Sequence, residues 1–427
     1  MIRPELRSVP DVRLVLQRRE SRPTRPITMT SFLPTFPLPT NPLLLFGLLL
    51  LAGVVGGELA KRALRLPRVV GYVLTGLLLS GVGLFDAKIV RESWIFVDIA
   101  LGLILFELGR RLDFSWFRRD PWLAATGVLE SALSFALVLG ALVYFDVRPI
   151  YAAVAASIAI ATSPAVVMVV AQELKAEGQV TERALSLVAI NSVIAYVTAT
   201  MLLAWIHHEY HAGWTTVLLH PVYLLAGSLL LGYLASVSVV GLGRWLGKSE
   251  RGHSVAALAL VIVTVGLAKA LELSVVLSLL AFGVLSRSLD KRHDLMPFEF
   301  GRIGEMFVVV LFVVGGATLR MDELVTGGTL ALVFILARFV GKSIGVLALT
   351  YFSGVRRGAA GLLCLALTPM SGLAISMVQG TTSMYPEFGA HLAAIVLSAV
   401  LIMELVGPVA VQFALRRAGE AVEAESK

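Results

Sequence analysis

The sequence predicts an all-α polytopic membrane protein. Hydrophobic residues make up 57% of the 427 residues, charged residues make up 15%, and the mean hydropathy is +0.84. A soluble domain carries about 25% charged residues, so this composition excludes a soluble globular protein and a disordered chain. The single cysteine, Cys364, excludes a disulfide framework within the chain.

Thirteen apolar segments have the length and composition of membrane helices, because a hydrocarbon core about 30 Å thick needs about 20 residues per helix. Several of them are short or interrupted by Gly and Pro. The segments are 42–59, 69–84, 93–109, 121–145, 150–174, 184–206, 219–243, 252–270, 274–288, 303–319, 326–353, 358–380 and 388–415. The sequence therefore predicts about 13 transmembrane helices, preceded by a tail over 1–41 and followed by a short cytoplasmic tail over 416–427.

The distribution of Lys and Arg predicts the orientation. The loops after odd-numbered segments, together with the C-terminal tail, carry most of the basic loop residues. Cytoplasmic loops are enriched in Lys and Arg, so these loops and the C-terminus are expected in the cytoplasm. An odd number of crossings then places the N-terminus outside. This distribution also explains the net charge of +7 without a nucleic-acid partner.

The N-terminal tail conflicts with that orientation. Residues 1–28 are rich in arginine and lack the apolar stretch of a signal peptide, yet they would have to cross the membrane. Met29 begins a second candidate start that is uncharged until Glu58. We hypothesise that translation begins at Met29 and that residues 1–28 are not translated.

Short matches between the two halves of the chain indicate an internal repeat. They recur in the same order and at nearly constant spacing: Leu59-Ala60-Lys61 with Leu267-Ala268-Lys269, Leu66, Val69 and Gly76 with Leu273, Val276 and Gly283, Leu105-Phe106 and Gly109 with Leu311-Phe312 and Gly315, Thr162 with Thr368, and Pro164 with Pro369. The repeat pairs segment one with segment eight, so the copies cross the membrane in opposite senses. We expect two inverted-topology repeats, 42–206 and 252–415, joined by a connector helix with loops over 207–251. This architecture is typical of secondary transporters that work by alternating access.

The repeat also predicts a site. Sites in such transporters form where corresponding helices are broken near the middle of the membrane. Thr162-Ser163-Pro164 in segment five corresponds to Thr368-Pro369 in segment twelve. Each proline removes an amide donor and interrupts its helix. We expect two broken helices whose hydroxyls and carbonyls replace part of the hydration shell of an ion.

Charged residues inside the segments are further candidates, because a charge in a membrane is costly and typically functional. Lys342 lies deep in segment eleven and is the leading candidate for a group that exchanges its proton. Arg338 is nearer the end of that segment and is expected to extend toward the membrane surface. Glu130, Glu305 and Glu404 are alternative proton carriers, although each by itself fits an interfacial or helix-packing role.

Several motifs, in this order, resemble the monovalent cation:proton antiporter superfamily of the sodium/proton exchanger type, over about residues 42–420. They are Leu66-Pro67-Arg68-Val69-Val70-Gly71 with Gly76, Phe106-Glu107-Leu108-Gly109, Thr162-Ser163-Pro164, Gly341-Lys342 with Gly345, Thr368-Pro369 with Gly372, Glu404 with Gly407-Pro408, and Ala418-Gly419-Glu420. The resemblance implies a homodimer in which a core domain moves against a dimerisation domain. It also implies that the broken helices cross and that segment eleven carries a basic residue, here Lys342.

One departure from the family pattern is important. The family carries an aspartate on segment six that binds the cation and the proton in competition. Here Asn191 matches the position before it, and Ser192 stands in place of the aspartate. A serine hydroxyl can be a cation ligand, but it does not titrate near neutral pH and supplies no charge. With Lys342 present and no aspartate opposite it, the expected formal charge of the site is zero or positive. Competition between the proton of one carboxylate and a metal ion is therefore not the expected mechanism.

The leading hypothesis is a secondary transporter that exchanges a monovalent cation, sodium or potassium, for protons, with a relocated proton carrier. The alternatives are an anion or organic-solute transporter on the same fold, or a degenerate member without transport. We expect no enzyme activity and no cofactor, no metal other than the transported cation, and no nucleotide, because no phosphate-binding loop is present. The expected location is the inner membrane of a bacterial cell.

Overall fold

The computed structural model describes residues 42–83, 85, 87–112, 120–209, 214–247, 250–290, 301–319, 321–350, 352–384 and 386–422. The N-terminal tail and Met29 lie outside these residues. Within them, all regular secondary structure is helical, so the predicted all-α class is confirmed. The fifteen helices are α1 (Pro42–Leu64), α2 (Arg68–Gly81), α3 (Ala87–Arg111), α4 (Pro121–Tyr144), α5 (Pro149–Ile160), α6 (Pro164–Glu173), α7 (Gln179–Glu209), α8 (Trp214–Leu246), α9 (Glu250–Ala270), α10 (Val275–Leu289), α11 (Gly301–Thr318), α12 (Met321–Thr350), α13 (Arg357–Ala366), α14 (Gly372–Met384) and α15 (Pro386–Arg417).

Each apolar segment of the sequence coincides with one helix, except for segments five and twelve. Segment five is divided into α5 and α6, and segment twelve into α13 and α14. Among the described residues, eight spans are long and apolar enough to cross a membrane, namely α1, α4, α5 with α6, α7, α8, α9, α12 and α15. The helix bounds differ slightly from the expected ones, since α7 continues to Glu209, α9 begins at Glu250 and α15 ends at Arg417.

Proline begins several of these helices. It stands at the first position of α4, α5 and α6, where the missing amide hydrogen costs no intrahelical bond. The preceding residue caps two of them: Asp120 Oδ1 accepts from Leu123 N at 3.3 Å, and Ser163 Oγ accepts from Val166 N at 3.3 Å. Pro164 therefore starts a new helix after the break.

The helices pack into two bundles. Bundle A contains α1–α3 and α8–α11, and bundle B contains α4–α7 and α12–α15. Each half of the chain contributes to both bundles. The pairing of α4 with α12 is the most extensive contact in bundle B, and α8 with α10 is the most extensive in bundle A.

A cavity of about 1570 Å³ lies between the bundles. Trp94 and Asp98 of α3 line it on the side of bundle A, and Pro164 and Tyr196 line it on the side of bundle B. Asp98 forms an ion pair with Lys269 on its wall. The cavity thus reaches the beginning of α6, directly after the break in segment five.

Candidate functional site

The two helix breaks contact each other. Residues 161–163 separate α5 from α6, and residues 367–371 separate α13 from α14. Ser163 N donates to Pro369 O at 2.9 Å, and Thr162 Oγ1 donates to Leu367 O at 3.3 Å. The hydroxyls of Ser163 and Ser371 are also hydrogen-bonded to each other. The breaks expected from Pro164 and Pro369 are therefore present and joined.

Arg338 of α12 binds both breaks. Its guanidinium donates to Ala159 O at 2.8 Å, Ala161 O at 2.9 Å and Thr368 O at 2.7 Å. Two longer bonds at 3.4 Å reach the carbonyls of Leu367 and Pro369. The expectation that Arg338 extends toward the membrane surface is wrong, because its side chain is 2% exposed. The carbonyl ends of α5 and α13 are partly negative, and they hold the positively charged guanidinium group of Arg338 in place.

Lys342 lies one turn further along α12 and forms a buried ion pair. Its Nζ lies 2.9 Å from Glu130 Oε2 and donates to Ile160 O at 2.8 Å. The side chains are 1% and 0% exposed. The expected interfacial position of Glu130 is wrong, because the side chain is buried between α4 and α12. The expectation that no carboxylate lies opposite Lys342 is also wrong, since Glu130 supplies that negative charge. The charges of the pair cancel.

Two glycines allow α12 to approach α4 this closely. Gly341 and Gly345 form a Gly-x-x-x-Gly pattern, which places both on one face of a membrane helix. A methyl group added at Gly341 would lie 2.6 Å from the Cα of Ser134 on α4. This pattern is the sequence signal that could have indicated a closely packed partner for α12, although it does not identify α4.

Polar side chains connect α4, at the residue after Glu130, to the break in segment five. Ser131 Oγ donates to Asn191 Oδ1 at 3.2 Å, and Asn191 Nδ2 donates to Thr162 Oγ1 at 3.4 Å. The other carboxylate oxygen of Glu130, Oε1, is buried and accepts no hydrogen bond from the described residues. It is available to a proton or a small cation.

Two candidate hydroxyls are bonded within their own segments, and two candidate glutamates take no part in the cluster. Ser192 Oγ donates to Val188 O at 2.8 Å within α7, and Thr368 Oγ1 donates to Leu365 O at 2.8 Å. Glu305 is exposed near the beginning of α11. Glu404 is buried in the middle of α15 and makes no hydrogen bond with the described residues of the breaks. The structure thus brings together Thr162, Ser163, Asn191, Lys342, Thr368 and Pro369 with Glu130 and Arg338.

Comparison with known proteins agrees with this architecture. The family model described as "Sodium/hydrogen exchanger, transmembrane" matches residues 46–417. A structure of the sodium proton antiporter MjNhaP1 from Methanocaldococcus jannaschii at pH 8 superposes with a TM-score of 0.66 at 14% identity, over 88% of this chain and 98% of that one. An electron-microscopy structure of the same antiporter gives a TM-score of 0.67 at 16% identity, over 91% and 100%. No curated protein sequence matches. Since the family model spans most of the chain, this protein belongs to the transmembrane sodium/hydrogen exchanger family.

Proposed function

We propose that the chain is a secondary active transporter that exchanges a monovalent cation, sodium or potassium, for protons by alternating access. The buried pair of Glu130 and Lys342 takes the role that the family gives to the missing aspartate of segment six. The observation that supports this proposal is the 2.9 Å contact between Lys342 Nζ and Glu130 Oε2, beside the break in segment five. A titratable pair at this place is costly in a membrane and is typical of proton pathways.

In this mechanism the cation and the proton compete at the pair. The cation binds the Glu130 carboxylate, whose Oε1 is unpartnered among the described residues. The ammonium group of Lys342 then loses a proton to the aqueous side and becomes a neutral amine. One positive charge enters the pair and one leaves it, so the net charge of the pair stays at zero. Asn191 and Ser131 are neighbouring polar groups that can complete the coordination.

The carbonyls of the breaks are not the cation ligands in this proposal. Ala161 and Thr368 already accept hydrogen bonds from Arg338, which carries a permanent positive charge. Arg338 therefore holds the crossing together, and the exchange of ions takes place at Glu130 and Lys342. Ser192 is a supporting residue, since its hydroxyl is already bonded to Val188 O.

In this proposal, movement of bundle B against bundle A exposes the pair of Glu130 and Lys342 first to one side of the membrane and then to the other. All residues of the pair and of the breaks lie in bundle B, and the cavity between the bundles reaches Pro164. We further propose thirteen crossings in two inverted repeats, a homodimer formed by bundle A, and an inner-membrane location in a bacterial cell. The N-terminus is then outside and the C-terminus is in the cytoplasm.

The test is proton flux in proteoliposomes with sodium, potassium or lithium added across a pH gradient. We expect cation-dependent proton movement in the wild type, and its loss in Glu130→Gln and Lys342→Ala. Glu305→Gln is the matched control, because Glu305 is an exposed glutamate, and it should keep the flux. A wild type that responds to none of the three cations would contradict the proposal, and anions and organic solutes would then be tested.

A further inference from the structure

Glu404 is a buried carboxyl group that this mechanism does not use. It lies in the middle of α15 and is 1% exposed. Its Oε2 is buried, and Glu404 has no hydrogen bond or ion pair with any residue that the structure describes. An unsatisfied buried polar group is rare in native structures and calls for a physical explanation.

The Glu404 side chain faces the other bundle. A methyl group added at Gly315 of α11, in bundle A, would lie 3.4 Å from Glu404 Oε1. One turn after Glu404, Gly407 packs against Pro369, since a methyl group added there would lie 2.9 Å from the proline Cα. Residues three apart lie on the same face of a helix, so one face of α15 contacts the crossing at Gly407 and places the Glu404 carboxyl group against bundle A one turn before it.

Apart from the phenol of Tyr72 on α2, the ionisable groups that the structure describes on the surrounding helices have partners elsewhere or lie at helix ends. Arg338 and Lys342 of α12 bind the breaks and Glu130. Arg68 of α2 pairs with Glu58, and Glu173 of α6 pairs with Lys61. Arg357 lies at the beginning of α13, and Glu305 is exposed on α11. Tyr151 of α5 accepts from Arg148, and Cys364 of α13 donates to Ser343 O. Among the described residues, the carboxyl of Glu404 thus faces no opposite charge that would stabilise its ionised form.

We propose that Glu404 is a proton-operated lock on the movement between the bundles. Its protonated form fits the apolar contact with Gly315 and stabilises the arrangement described here. Its ionised form favours an arrangement of bundle B in which the carboxylate reaches water, because an unpaired charge is costly in an apolar interface. This inference rests on the bundle movement of the proposed function and assigns to that movement a second proton site, separate from the exchanging pair.

The direction in which pH shifts the two arrangements follows from the number of protons that each arrangement binds at Glu404. The observed arrangement binds one more proton at Glu404 than the alternative arrangement, so acid favours it and alkali opposes it. One proton of difference changes the ratio of the two arrangements by up to about tenfold per pH unit over the titration range. Glu404→Gln removes the titration and keeps a neutral side chain of the same shape, so it should hold bundle B in the observed arrangement.

The experiment measures a distance between the bundles and needs no transport. Spin labels are attached at Leu230→Cys on α8 and Leu332→Cys on α12, two exposed positions, in a Cys364→Ala background. Labelled protein is diluted with unlabelled protein in liposomes, and distance distributions are recorded from acid to alkaline pH. We expect two populations whose ratio changes with pH in the wild type and in Glu404→Asp. We expect one pH-independent population in Glu404→Gln.

Two outcomes would overturn the lock. One is a Glu404→Gln protein that shifts with pH as the wild type does, and the other is a wild type whose distances do not change with pH. If Glu404→Gln does not fold, Glu404→Met, which is neutral and of similar volume, carries the same expectation. Glu305→Gln, at an exposed glutamate outside the exchanging pair, should keep the pH-dependent shift. Failure of the proposed exchange would be seen separately, as absent cation-dependent proton flux in the wild type.

Discussion

Gly345 of α12 packs directly against Glu130 of α4: a methyl group added to Gly345 would lie 2.3 Å from the Glu130 Cα. The absence of a side chain at this position allows the two helix backbones to approach. The adjacent turn then places Lys342 Nζ at 2.9 Å from Glu130 Oε2. Both the close contact between the helices and the buried ion pair therefore depend on Gly345, together with Gly341 one turn before it.

This dependence gives a first prediction, for Gly345→Ala. The added methyl group must push α12 away from the backbone of α4, so we expect a loss of about 1–3 kcal/mol of stability. Transport should fall with it, because the ion pair is separated. Gly328→Ala on the same helix is the control, since nothing lies within 4 Å of a methyl group there. It should be neutral or stabilising by up to about 1 kcal/mol. Thermal unfolding in detergent measures both, and equal effects would contradict the packing argument.

A second prediction concerns the ion pair as a unit. Glu130→Gln leaves the ammonium of Lys342 buried without an opposite charge, and Lys342→Met does the same to the carboxylate. Each single change should cost about 3–5 kcal/mol, because an uncompensated buried charge is strongly destabilising. The double variant should lose less than the sum of the two, since neither charge remains. Strictly additive losses in unfolding experiments would show that the two groups are not coupled.

A third prediction concerns the electrical behaviour of transport. The pair of Glu130 and Lys342 gives up one proton for each cation that it binds, so exchange one for one moves no net charge. Imposing a membrane potential with valinomycin and a potassium gradient, while sodium drives proton movement, should leave the initial rate unchanged. Solid-supported membrane recordings should show no sustained current. A rate that follows the imposed potential would rule out the one-for-one exchange at this pair.

A fourth prediction concerns Arg338, which binds the carbonyls of both breaks. Lysine keeps the charge but lacks the planar set of five donors, so Arg338→Lys cannot reach the carbonyls of Ala159, Ala161 and Thr368 together. We expect a lower unfolding temperature and faster amide hydrogen exchange in the segments around both breaks. Arg62→Lys is the control, because that side chain is 82% exposed. Unchanged exchange at residues 161–163 and 367–371 in Arg338→Lys would contradict the proposed clamp.

The broken helices could be predicted because their cause is local. Pro164 and Pro369 lack an amide hydrogen wherever they stand, and Ser163 caps the helix that follows the first break. The joining of the two breaks could only be observed in the structure, since the contact between Ser163 N and Pro369 O joins residues from opposite halves of the chain.

The sequence by itself determined that the chain is an all-helical membrane protein, where its helices break, and that segment six lacks the aspartate, with Ser192 in its place. These are properties of composition, of proline geometry and of side-chain chemistry. Only the tertiary structure decided that Glu130 is the partner of Lys342, across 212 residues of sequence, and that Arg338 lies inside bundle B. The physical reason is that membrane helices are apolar on both the lipid-facing and the protein-facing side. Hydrophobicity therefore does not show which face of a helix contacts which neighbour. The close packing of small residues at the helix interfaces determines these contacts.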